Sequence, residues 1–370
     1  MASRNRVIYQ SEGIMVSKEA TSMTSANNTQ LFRVQSANYS YTINRQDVNQ
    51  YGELARIDSL VLEPPTVSVD FSYYLTDGFN ERVLGFYVQT GIAAQGNFAS
   101  GHLTAGSGVN VYIMTDPEGD DLNADTGGGA SLAAAGTVIG IGNCYLSDYS
   151  IDLSVGALPT ASVTMEGSNV RSSAGNAIKN PSINQSDGTE YTGANVAATT
   201  FSTSGMGVTT SALRPGDIVM GLTAFDGDTI SDLSATEGIH IQSATISVPL
   251  SRTPLDRLGS KFAFARTVDF PVVSTLSVSA IMNETDAMNL ADKLEQPEKD
   301  VSIIMKTPSA ATGIRWDFKG ALVEGESWSS SIGSNKAVDL TFSTQIGGPN
   351  DLNDGVYMSG INATGVFQDP

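Results

Sequence analysis

Apolar and polar positions alternate with a period of two along most of this chain. In the stretch Thr66 to Leu75, Val69 and Phe71 are separated by the polar Ser68, Asp70 and Ser72. In Val273 to Met282, Leu276 and Val278 are separated by Thr275, Ser277 and Ser279. A period of two sends the apolar set to one face of a strand and leaves the other face wet. Leu31 to Ile43, Val109 to Thr115, Tyr145 to Val155 and Ala161 to Glu166 alternate similarly or are β-branched, with Gly, Pro, Asn or Asp in the gaps. This predicts a sandwich or barrel.

The pattern also recurs. A shift of 207 sets Gln35-Ser36-Ala37 on Gln242-Ser243-Ala244, Arg45 on Arg252, Gly52 on Gly259 and Pro64 on Pro271, and keeps the wet and apolar parity. Downstream, Val109 to Thr115 aligns with Val301 to Thr307 at a shift of 192. At a shift of 177, Gly156 falls on Gly333, and Ala161, Val163 and Met165 fall on Val338, Leu340 and Phe342. Strand periodicity does not set the Gln-Ser-Ala, Arg and Gly matches, and the blocks keep their order, which predicts a tandem repeat.

The expected fold is therefore all-β, with two tandem β-sandwich or barrel domains, each with at most a short helix. The domains are expected at residues 1–167 and 212–370, joined across 168–211 by a Gly/Ser/Asn/Thr-rich linker or decorating insertion. Val7 to Tyr9 and Gly13 to Val16 read as short opening strands. Arg214 to Leu222 reads as a turn and a strand that opens the second copy. Gly91 to Gly108 and Asp116 to Gly142 read as exposed loops. Thr285 to Glu295 has Met288, Leu290, Ala291 and Leu294 at helical spacing and ends before Pro297, so a helix is expected there.

Composition narrows the function classes. Hydrophobic residues make up 40% of the 370 and charged residues 16%, which suits a globular β protein. The net charge of −19, with no Lys or Arg cluster, opposes attractive binding to nucleic acid phosphates, while a surface of one sign would repel a like-charged polymer. Cys144 is the single cysteine, so no intramolecular disulfide is possible and a reducing compartment is permitted. The N-terminus has no apolar signal run and no stretch reaches the length that spans a bilayer, so a soluble protein, intracellular when made and without membrane partners, is expected.

Candidate chemistry is sparse. His102, His240 and Cys144 lack zinc-site spacing. Asp116, Glu118, Asp120, Asp121, Asn123 and Asp125 form an acidic cluster whose glycine and glutamate positions do not match a calcium loop, so a solvated loop is the better reading. Nucleophile-elbow, phosphate-loop and dinucleotide motifs do not occur in their required contexts. A carboxylate pair suited to glycoside hydrolysis stays open until the fold is known. Trp316 and Trp328 lie in second-copy strands, which favours packing over a sugar platform. The expectation is a protein without enzyme activity, metal or cofactor.

The run Asn143-Cys-Tyr-Leu-Ser-Asp-Tyr-Ser-Ile-Asp-Leu-Ser-Val-Gly-Ala-Leu-Pro-Thr-Ala-Ser-Val-Thr-Met-Glu-Gly-Ser-Asn169 resembles the hairpin of tail tube (major tail) proteins of tailed bacteriophages. Ser211 to Asp217, Ile241 to Arg252 and Leu258 to Lys261 are similar in character, so the resemblance touches both repeats. The insertions at 116–142 and 168–211 depart from a minimal tube subunit. The resemblance implies a virion structural protein that stacks as rings into a conduit for genome ejection. Three copies of a duplicated chain would then form a pseudo-sixfold ring. It also implies a place in the virion tail, reached from the host cytoplasm during assembly. The implied partners are further copies of the chain, the tape measure protein, and baseplate or tail-tip and tail terminator proteins, with DNA passing without specific binding. Asp70, Asp148, Asp152, Glu324 and Glu326 are the wet-face candidates for a lumen. A capsid decoration protein, and an adhesin or carbohydrate-binding module, are the alternatives, the second disfavoured by an aromatic content of 7%.

Overall fold

The computed structural model describes residues 12–17, 28–90, 96–104, 108–115, 136–174, 178–184, 186–191, 212–213, 218–223, 229–230, 239–263, 265–282, 298–306, 313–329, 337–348 and 354–360. Eight antiparallel strands form its central sheet. In spatial order these are β3 (Val34–Thr42), β6 (Thr66–Tyr74), β10 (Thr160–Gly167), β9 (Thr137–Ser154), β14 (Ile239–Pro249), β17 (Val273–Met282), β20 (Ala337–Gln345) and β19 (Gly313–Ser329). Alternation does what the sequence requires of it. Along β6 the side chains of Val67, Val69, Phe71 and Tyr73 are buried, whereas Asp70 is exposed.

The two longest strands leave this sheet at their N-terminal ends and enter flanking sheets. Residues 137–144 of β9 lie between β8 (Val109–Thr115) and β11 (Asn169–Ala174), and β8 continues through β1 (Glu12–Ser17) to β2 (Asn28–Gln30). The first part of β19 lies between β18 (Lys299–Lys306) and β21 (Gly355–Gly360). Beyond β18 come β12 (Ile218–Thr223) and β13 (Thr229–Ile230), and β7 (Gln89–Thr90) joins β21 in parallel. Both long strands change sheets at a residue of positive φ, Asn143 (φ 52) and Gly320 (φ 61). The buried apolar faces meet in one cluster that includes Val69, Phe71, Tyr149, Ile151, Ile246, Leu276, Trp316 and Phe342. A smaller cluster of Met15, Tyr112, Met114, Val138 and Ile178 covers the outer side of the β1–β8–β9 sheet.

Strand order and register recur between the halves. The quartet β3-β6-β10-β9 is followed in space by β14-β17-β20-β19, in the same chain order. Asn38 pairs with Asp70, and Thr245 pairs with Ser277, at the shared shift of 207. A bulge interrupts the first pair of strands between Val34 and Ser36 and its counterpart between Ile241 and Ser243. The β10–β9 bulge, between Thr164 and Met165, has its counterpart between Val323 and Gly325 of the β19–β20 pair. The hairpin β4 (Arg45–Val48)/β5 (Asp58–Val61) matches β15 (Arg252–Leu255)/β16 (Ala265–Val268), with Arg45 opposite Val61 and Arg252 opposite Val268. Gly52 and Gly259, in the two hairpin loops, both have positive φ, which turns there require.

Several sequence expectations change. The second block aligns at a shift of 190, not 192: Val111 opposite Ile141 corresponds to Val301 opposite Phe318. Both shifts are even, so the alternation could not separate them. The loop expected over Asp116 to Gly142 is strand from Thr137 onward. Residues Asn169–Ala174, expected to begin a linker, form β11 and pair with β9. Two short helices, α1 (Phe79–Val83) and α2 (Ser100–Thr104), cap the first half. Val7 to Tyr9, the acidic run Asp116 to Asp125 and the helix expected over Thr285 to Glu295 lie outside the described residues.

Candidate functional site: a polar sheet face and two open edges

One face of the central sheet is lined by hydroxyls and carboxylates. A row of directly opposed residues crosses all eight strands as Ser36, Ser72, Ser162, Ser150, Ser247, Thr275, Ser343 and Leu322. Ser36 Oγ and Ser72 Oγ lie 2.7 Å apart, so the first two hydroxyls are joined. The neighbouring row runs Asn38, Asp70, Thr164, Asp148, Pro249. On the other side Asp152 stands opposite both Thr160 and Thr245, and Thr245 Oγ1 donates to Asp152 Oδ1 at 3.0 Å.

The structure thus brings Asp70, Asp148 and Asp152 onto a single face. Asp70 and Asp152 are exposed; Asp148 is half-buried, and burial raises its pKa. Glu324 and Glu326 do not join them in the ladder. Glu324 is the extra residue of the β19 bulge, and Ser343 Oγ donates to its carboxylate. Glu326 stands opposite Leu340, whose parity is that of the apolar face. The bulge between Val323 and Gly325 reverses the parity that simple alternation assigns. Asp339, which the sequence reading missed, lies on the polar face opposite Ser279 and Ser327 and accepts from Ser327 Oγ at 3.3 Å. Its flanking apolar pair, Val338 and Leu340, was the available signal.

The junction of the halves is built in detail. β9 and β14 pair from Ser154↔Ser243 to Asp148↔Pro249. The hairpin β15/β16 then folds back over the first half. Arg252 there donates Nε–H to Leu146 O (3.1 Å), Nη1–H to Arg266 O (3.3 Å) and Nη2–H to His102 O (2.9 Å), with its guanidinium over the Tyr145 ring. Arg266 pairs with Glu166. Ile246, Val248 and Leu250 are buried along this junction.

The sheet ends on two strands with one neighbour each among the described residues: β3, paired with β6, and Leu322–Ser329 of β19, paired with β20. Large apolar groups are exposed along β3 and beyond it, among them Tyr39, Tyr41, Ile43, Tyr51 and Leu54. Among the described residues no group of three or more His, Cys, Asp or Glu is placed to hold a metal ion, and no helix is long and apolar enough to cross a membrane. Trp316 packs in the core against Phe98 and Tyr149, as expected of it.

No protein-family model matches the chain, and no curated protein does. Solved structures do. The sheath/tube terminator of an extracellular contractile injection system is similar over 38% of this chain and 91% of its own, at 9% identity and a TM-score of 0.27. The SPP1 tail tube is similar over 40% of this chain and 79% of its own, at 11% identity and a TM-score of 0.26. The tube-terminating cap of the anti-feeding prophage matches 40% of this chain and 91% of its own, at 9% identity and a TM-score of 0.26. The chain is an all-β protein whose neighbours among solved structures are tail tube and terminator proteins of phage and phage-like injection systems.

Proposed function

We propose that the chain is a tail tube subunit made of two tandem tube units, the first running from residue 1 through β11 and the second over 212–370, and that its copies close into rings that stack into the conduit for genome ejection. The observation that carries this reading is the recurrence of strand order and register across a sheet that ends on two open edges. An unpaired edge is a hazard in a monomer and a joint in a polymer.

The stagger of the sheet supports closure. Ser243 is the counterpart of Ser36, yet the row through Ser36 reaches β14 at Ser247, four residues further on. A four-residue offset over four strands tilts the strands by about 35°, within the range of closed barrels, and three copies would make a barrel about 45 Å across at the backbone. That bore admits duplex DNA once side chains are allowed for. Three chains then give six tube units, a threefold ring with pseudo-sixfold symmetry.

The polar face would line the lumen. Asp70, Asp148, Asp152 and Asp339 repel phosphates, while the serine and threonine hydroxyls beside them offer DNA no basic hold, so the polymer slides. Glu324, whose carboxylate accepts from Ser343 of the polar row, is proposed to join these aspartates, while Glu326 has the parity of the apolar face. The tape measure protein inside the tube, baseplate or tail-tip proteins and the tail terminator at its ends complete the proposed partners, and host cytoplasm during assembly and the virion tail are the proposed locations. Electron microscopy of the purified protein tests the reading: stacked rings of three chains are expected, and rings of six full chains would reject the three-copy closure. Lysine at Asp70, Asp148 and Asp152 should slow DNA ejection without blocking rings; unchanged ejection would remove the electrostatic part.

A further inference from the structure

We propose that the seam between neighbouring copies copies the internal seam residue for residue: β19 of one chain pairs with β3 of the next in the register that β9 and β14 already show. This rests on the ring reading above and specifies its interface. Shifting the internal register by 177 on one side and 207 on the other gives the pairs. Ser150↔Ser247 becomes Ser327 with Ser40 of the next copy, Asp152↔Thr245 becomes Ser329 with Asn38, and Asp148↔Pro249 becomes Gly325 with Thr42.

Exposure singles out these edges. Ile246 and Val248 are 0% exposed at the internal seam, and their counterparts Tyr39 and Tyr41 are 40% and 61% exposed. Tyr145, 4% exposed beneath the Arg252 guanidinium, has as its counterpart Leu322, 48% exposed. The apolar groups that a partner strand covers inside the chain thus stand uncovered at its two ends, and an apolar row beside open backbone groups suits pairing with another chain.

Arg252 supplies the second half of the seam. Its side chain reaches across to the carbonyl of Leu146, next to the β9 bulge, and Leu250 N–H donates to Ser147 O at 2.9 Å. The counterpart of Arg252 is Arg45, exposed on β4, and the counterpart of Leu146 is Val323, next to the β19 bulge. Arg45 of one copy would donate to Val323 O of its neighbour, over Leu322, and Ile43 N–H would donate to Glu324 O. The two bulges occupy the same position in both halves because each presents these carbonyls to the arriving strand.

Cysteine pairs read the register directly. β3 and β19 stand at opposite ends of eight strands, roughly 34 Å apart, too far for a bridge within one chain. Ser40→Cys with Ser327→Cys is the proposed match, and Ser40→Cys with Ser329→Cys is slipped by two residues. Cys144 stays in place, since it is buried and its thiol is pushed up to about 12. Under mild oxidation the matched pair should yield at least about tenfold more covalent oligomer than the slipped pair, because disulfide geometry tolerates little displacement. Arg45→Ala should raise the concentration needed for assembly while leaving the melting of the single chain unchanged. Rings by electron microscopy with cross-linking only in the slipped pair, or in neither, would overturn the seam and leave the tube reading intact. A chain that stays monomeric at every concentration would overturn both.

Discussion

Tyr149 donates its hydroxyl to Glu81 Oε1 at 3.0 Å, and Tyr73 donates to the same oxygen at 2.9 Å, so one buried carboxyl ties α1 to two strands of the central sheet. Burial raises the Glu81 pKa, against the lowering effect of these hydrogen bonds. Glu81→Ala leaves two buried hydroxyls without their acceptor and should cost about 2 to 5 kcal/mol in chemical denaturation. Glu81→Gln keeps an acceptor oxygen and should cost less. Because the folded pKa lies above the unfolded one, the stabilisation that protonation of Glu81 gives is full below the unfolded value and is lost as pH rises through the folded value. The Gln variant should remove that slope from the stability curve.

His102 has the opposite sign. Burial, with Arg252 adding repulsion, lowers its pKa from 6.5 to about 3. The folded state therefore holds a neutral imidazole, packed edge-on against Phe86. Its stability is present above 6.5 and falls as pH drops toward the folded value, where the unfolded chain takes up the proton first. His102→Phe should flatten melting temperature against pH in that window. An unchanged slope would show that His102 does not control it.

Arg252 spans three carbonyls of three different segments. Arg252→Ala should destabilise the chain by about 3 kcal/mol or more, since charge-assisted bonds are lost and buried acceptors go unpaired. Arg252→Lys should recover only part, because an ammonium cannot present the planar fork. Equilibrium unfolding of the two variants separates the outcomes.

Gly142 lies where the segment 178–184 crosses β9. A Cβ added there would stand 2.3 Å from Pro181 O, a backbone atom that no rotamer change can move. Gly142→Ala should therefore cost about 1 to 3 kcal/mol and loosen that segment, which hydrogen exchange at Ile183 would register. Ile183 N–H donates to Asn143 Oδ1 at 2.7 Å.

Much of the central sheet was legible in the chain. The 207 shift placed Gln35 on Gln242, and those are the two bulged residues; it placed Gly52 on Gly259, and both take positive φ. Such matches reflect backbone demands rather than strand periodicity. What escaped the sequence reading has physical causes. The first part of β9, Thr-Val-Ile-Gly-Ile-Gly, looked like a loop because glycines dilute the alternation, yet Gly140 and Gly142 are there to let Tyr112 and Pro181 approach. The polar face was legible at Asp70, Asp148 and Asp152. It was misread at Glu326 because a bulge adds a residue without any compositional mark.

The β9–β14 junction has one further consequence. It closes within a single polypeptide, so it forms at a rate independent of protein concentration and loses no translational freedom. In a ring of such chains every second joint would already exist before two molecules meet. Nucleation would then need fewer encounters than a ring of single-unit subunits, and assembly would persist at dilutions where separate units drift apart.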